Sequence, residues 1–169
     1  MTSARLLLRL LPLLLVLLAT PMARADVYGD VSQLVRGGRL AEAEARADRH
    51  LQAKPRDPQM RYLKGLIQRD SGRQAEALET FTKLTEDFPE LPEPYNGLAV
   101  IYAAQGDYDR ARDALELAIR ANPAYATAHE NLGDLHSRLA RQSYCKALQH
   151  DPGNGDLKTR LSTLGIVCP

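Results

Sequence analysis

Three residue types keep one spacing along this chain. Pro55, Pro89 and Pro123 are 34 residues apart, and so are Gly38, Gly72 and Gly106, and Ala43, Ala77 and Ala111. A period of 34 is that of a helix-turn-helix unit, which cannot bury its apolar faces alone and folds by stacking on its neighbours. The spacing therefore predicts an all-α solenoid, with no need for a sheet.

One copy shows what each slot does. In "PEPYNGLAVIYAAQGDYDRARDALELAIRANP", residues 92–123, Gly106 can take the left-handed conformation that ends a first helix, and Asp107 can cap a second. Ala99 and Ala111 are small enough to let two helices approach. Pro123 fits the first turn of a following helix, with Asn122 as its cap. Ala111, Ala114, Leu115, Ala118 and Ile119 recur at three- and four-residue steps, while Arg110, Arg112, Asp113, Glu116 and Arg120 lie mostly off that stripe.

These residues resemble a tetratricopeptide repeat. Tyr95 and Tyr102 hold its two aromatic slots, Leu98 and Ala99 its Leu-Gly pair, Gly106 its turn, Ala111 and Ala118 its small residues, and Pro123 its end. The preceding copy keeps Gly65, Gly72, Ala77, Phe81 and Pro89, with Arg61 and Gln68 in the aromatic slots. The earliest keeps Gly38, Ala43 and Pro55. The resemblance implies a right-handed α-solenoid of helix hairpins over residues 26–169, with repeats at about 26–55, 58–89, 92–123 and 126–152.

The fourth repeat is short. Pro123 and Pro152 are 29 residues apart, five fewer than the period, and Ala140 stands where the turn glycine belongs. Its first half is intact, with His129 and His136 in the aromatic slots and Leu132-Gly133 between them. Five residues exceed one helical turn of about 3.6, so no chain is left to make the usual reversal. The sequence predicts one helix running through Leu139 to Tyr144, then a short capping helix within 154–165, ended by Gly165.

The first 25 residues read as a leader. Arg5 and Arg9 precede the apolar run Leu10 to Ala19, and Ala23-Arg24-Ala25 has the small-x-small pattern of a cleavage site. The run is shorter than the roughly 20 apolar residues that span a bilayer. The expectation is an exported chain, periplasmic and not membrane-inserted once residues 1–25 are removed. Loss of three leader arginines takes the 22 basic residues to 19 against 21 acidic ones, a net charge of −2. That balance offers nothing to nucleic acid or to an anionic membrane surface. Cys145 and Cys168 are the two cysteines, and export to an oxidising compartment allows them to form one disulfide.

Two functions of different kinds fit the chain. The first is a binding module, a scaffold in the bacterial cell envelope that holds a protein or peptide in the concave groove. By repeat phase the groove residues are Tyr62, Leu66, Arg69, Asn96, Val100, Ala103, Glu130, Asp134 and Arg138. The slots that clamp a C-terminal carboxylate in related grooves hold Tyr62, Leu66, Asn96, Val100, Glu130 and Asp134 instead, so that clamp is not expected. Self-association through the exposed solenoid ends is a variant of this reading. The second function is a metal-binding or enzymatic protein using His129, His136 and Cys145. Against it, the two histidines occupy aromatic slots and are expected as buried imidazoles. Nothing local lowers the Cys145 pKa, and no phosphate loop, nucleophile elbow or zinc-ligand cluster occurs. The sequence therefore reads as a non-enzyme with no cofactor and no metal.

Overall fold

A computed structural model describes residues 26–168. The expected leader, 1–25, lies outside them. Within the described residues the chain forms eight helices: α1 (Val27–Arg36), α2 (Leu40–Ala53), α3 (Pro58–Asp70), α4 (Gln74–Asp87), α5 (Pro92–Ala104), α6 (Tyr108–Ala121), α7 (Ala126–His150) and α8 (Gly155–Thr163). No strand occurs among them.

The reversals fall on the periodic glycines. Gly38, Gly72 and Gly106 have φ of +69°, +79° and +79°, and each closes the first helix of a pair. A side chain at these positions would be strained, so glycine permits the hairpin. Asp107 caps α6 by accepting from the Arg110 amide, and Pro58 and Pro92 open α3 and α5. Pro123 does not open a helix. It sits in a turn before Ala126, and Asn122 ends α6 instead, its side chain accepting from the Ala124 amide at 3.0 Å. An Asx turn has displaced the expected N-cap, because the Asn side chain satisfies a loop amide and the helix starts three residues later.

Each helix packs on the next in the chain. The odd-numbered helices also touch one another in order, α1 to α3, α3 to α5 and α5 to α7, whereas no such contact joins the even-numbered ones among the described residues. The odd helices therefore form the inner, concave layer of the stack and the even helices its outer layer. Two apolar clusters fill the interior. Val31, Leu34, Ala43, Ala47, Met60, Leu63 and Ile67 make the first. Phe81, Leu84, Leu98, Ile101, Leu115, Ala118 and Leu135 are among the second, and Leu66 packs against both.

Polar residues in the aromatic slots are paired by side chains of the second helix. Gln68 is buried, accepts from the Thr80 hydroxyl at 2.7 Å and donates toward Glu76 at 3.5 Å. Arg61, in the other slot, pairs with Asp87 from the end of α4. An unpaired buried amide would cost roughly 1–3 kcal/mol, so Gln68 is tolerable here only with Thr80 and Glu76 in place.

α7 runs unbroken for 25 residues through the segment where the other repeats turn. Its second half is held by α8. Cys145 and Cys168 are disulfide-bonded, with Cα atoms 5.4 Å apart, and Leu161 of α8 is buried. Gly165, at φ +64°, turns the tail back after α8.

Candidate functional site in the concave layer

The groove residues named from repeat phase separate into three groups. Tyr62 and Leu66 on α3 are half-buried and belong to the core margin. The Tyr62 ring lies 5.8 Å from that of Phe81, and burial, then the nearby Tyr125 phenol, push its hydroxyl pKa up to about 12. Asn96 on α5 is 8% exposed, and its Oδ1 accepts from Asn131 Nδ2 at 2.6 Å, so its polar group is used in joining α5 to α7. Arg69 is half-buried and pairs with its neighbour Asp70 at 2.7 Å. Val100, Glu130, Asp134 and Arg138 are exposed, and Ala103 is half-buried between them.

The structure brings four of these residues into one cleft. Val100, Ala103 and Ala104 from α5 form an apolar wall, and Asn131, Asp134 and Arg138 from α7 form the polar wall opposite. Leu135 and Leu115 close the floor, and the cavity holds about 300 Å3. Val100 is 36% exposed and so presents aliphatic surface to the cleft. Asp134 and Arg138 lie one helical turn apart on α7, with no ion-pair partner from another helix among the described residues. Such a wall leaves a carboxylate, a guanidinium and an apolar ridge facing the same space. Glu130 lies one turn further toward the N-terminus of α7, outside the cleft lining.

His129 and His136 require a correction. Both are expected from repeat phase as buried imidazoles, and both are exposed. In the two preceding repeats a second helix folds back over those slots and leaves Arg61, Tyr95 and Tyr102 half-buried and Gln68 buried, whereas α7 continues straight on. His129 Nε2 instead donates to the Pro123 carbonyl at 2.9 Å. Cys145 is taken up in the disulfide. Among the described residues no group of three or more His, Cys, Asp and Glu side chains is placed to hold a metal ion.

A cluster at the other end of the molecule has no counterpart in the sequence reading. Asp57 Oδ2 accepts from the Tyr28 hydroxyl at 2.6 Å and from His50 Nε2 at 2.7 Å, while Oδ1 caps α3 through the Met60 amide at 3.0 Å. Burial alone would raise the Asp57 pKa. The hydrogen bonds from Tyr28, Met60 and His50 outweigh it and hold the carboxyl below its ordinary value. The same carboxylate raises the Tyr28 hydroxyl pKa. The Asp-Pro pair marks a helix start in the sequence, but nothing there shows that Tyr28 and His50 converge on it from α1 and α2.

Two family models, each described as tetratricopeptide repeat, match residues 31–92 and 68–135, together more than half of the chain. The chain is 28% identical over 102 residues to a photosystem I assembly protein, Ycf3, of Prochlorococcus marinus (strain MIT 9211), covering 59% of each. It is 32% identical over 143 residues to the TPR repeat-containing thioredoxin TTL4 of Arabidopsis thaliana, covering 81% of this chain and 20% of that protein. The chain thus spans only part of the curated relatives it matches. Among solved structures, a thermophilic TPR protein of Thermus thermophilus, TTC0263, superposes with a TM-score of 0.63 at 23% identity, over 86% of this chain and 100% of that one.

Proposed function

Because the chain belongs to the tetratricopeptide repeat family, we propose that it is a binding scaffold of the bacterial cell envelope, holding a protein or peptide in the α5–α7 cleft. The carrying observation is the cleft itself, in which exposed Val100 and half-buried Ala103 face Asp134 and Arg138 across an open space. An apolar ridge beside two opposite charges suits an amphipathic helix or an extended segment that buries one aliphatic side chain and pairs one polar group. A few well-placed anchors carry most of the energy in such contacts. Tyr62 and Leu66, being committed to the core margin, contribute by shaping the groove more than by direct contact.

The envelope setting rests on the leader-like residues 1–25 and on a disulfide that an oxidising compartment would preserve. The photosystem I assembly role of one relative fits a chain that holds other proteins, although it says nothing of which protein this one holds.

Affinity measurements with a co-purified partner test the assignment. Val100→Asp, and separately Asp134→Ala with Arg138→Ala, should each weaken binding at least tenfold, a loss of about 1.4 kcal/mol, with helicity unchanged. Wild-type affinity in both variants would move the site out of the cleft.

A further inference from the structure

The fourth repeat contains both halves of a helix pair but cannot close on itself. In the second repeat, Gly65 of α3 receives the ring of Phe81 from α4, and a Cβ on Gly65 would collide with that ring. Gly133 occupies the slot of Gly65 two repeats later. Allowing for the five-residue deletion, Tyr144 occupies the slot of Phe81. The glycine and the aromatic ring that would fill its space are both present, but on one continuous helix. They are 11 residues, about 16 Å of helix, apart.

The face that should be covered is correspondingly bare. Gly133 has open space where Gly65 has a ring. With the same five-residue allowance, Ala140 moves from the turn-glycine position to the slot of Ala43, Ala77 and Ala111, and it is exposed whereas they are fully buried. Ala147 is exposed, whereas its counterpart Ala118 is fully buried. With His129 and His136, these residues make one stripe along α7, each a whole number of three- and four-residue steps from the last. Only Ala128, Leu135 and Cys145 of its 25 residues are buried.

What covers this face in every other repeat is a second helix lying antiparallel to the first. We propose that a second copy of the chain supplies it. The two α7 helices pack antiparallel, and each copy's residues 140–150 serve as the second helix of the other's fourth repeat. The register comes from the Gly65–Phe81 pair. Gly133 of each copy receives Tyr144 of the other, so the two-fold axis crosses α7 between Arg138 and Leu139. The interface is isologous, as a dimer of identical chains requires. It uses a different face of α7 from the one that lines the cleft, so a bound partner and a second copy can coexist.

Sedimentation equilibrium of the purified wild-type protein gives the first readout, and the proposal expects twice the chain mass. A monomer across the micromolar range overturns it. The register is read by cross-linking. Gly133→Cys and Tyr144→Cys variants are prepared separately, mixed, and oxidised. The mixture should give a covalent dimer on a non-reducing gel, while neither variant alone should. Dimer formation by Gly133→Cys alone means parallel or otherwise shifted helices and overturns the antiparallel pairing. A wild-type dimer whose mixture never cross-links places the contact on another face and overturns it equally.

Discussion

Single residues decide how closely the helices approach. Gly65 has no space for a side chain, since Phe81, fully buried, fills it. Gly65→Ala should cost about 1–3 kcal/mol through overpacking, and Phe81→Ala about 3–5 kcal/mol through the cavity it leaves. Gly155→Ala, which meets nothing within 4 Å, should stay within about 0.5 kcal/mol of wild type. Urea melts of the three variants check the order. Gly65 and Phe81 were legible through the resemblance to a tetratricopeptide repeat, since 34 residues further on stand Ala99 and Leu115 rather than the same residues. The Asp57 cluster was not, because Tyr28, His50 and Asp57 come from different elements and belong to no repeat slot. Its electrostatics make a pH prediction. The Asp57 carboxyl is held below its unfolded value, so its contribution is complete above that value and is lost as pH falls through the folded one. Asp57→Asn should therefore be less stable than wild type by a constant amount above about pH 5. The gap should shrink as acid protonates the wild-type carboxyl. Thermal melts from neutral pH down to about pH 2.5 measure it, and a gap that is flat or widens in acid contradicts the assignment.

Among the helices, the long α7 results from a deletion that could be counted in the sequence. Its surroundings were harder to read. Repeat phase assumes that a second helix folds over the first, and that assumption buried His129 and His136 on paper. Without the reversal, the phase rule fails for His129 and His136, which face the absent helix, while it holds for Leu135, which lines the cleft floor with Leu115 of α6. Restoring five residues with a turn glycine between Leu139 and Ala140 should let the fourth pair close within one chain. The expected result is two shorter helices, and a protein that sediments as a monomer where wild type is a dimer. The disulfide secures the chain beyond α7. Cys145→Ala with Cys168→Ala removes a crosslink over 23 residues of chain and should cost about 3 kcal/mol. Amide exchange should show the loosening concentrated in α8.

Across the whole molecule, the stack of odd helices creates a surface that no single repeat contains. The cleft takes its apolar wall from α5 and its charged wall from α7. Phase alone placed Val100, Ala103, Asp134 and Arg138 on the inner layer, because inner-layer slots repeat with the helices. It could not show that Tyr62 and Asn96 are engaged by neighbours, since their burial depends on Phe81 and Asn131 in other helices. Whether a protein partner sits in this cleft can be read by a photo-crosslinking side chain. It is placed in cells at Val100, at Asp134, or at Leu117 on the outer helix α6, which is 40% exposed. A partner in the cleft gives one and the same adduct from Val100 and Asp134, abolished by Arg138→Glu, and none from Leu117. An adduct from Leu117 with none from the two cleft positions would place the partner on the outer layer and refute the cleft assignment.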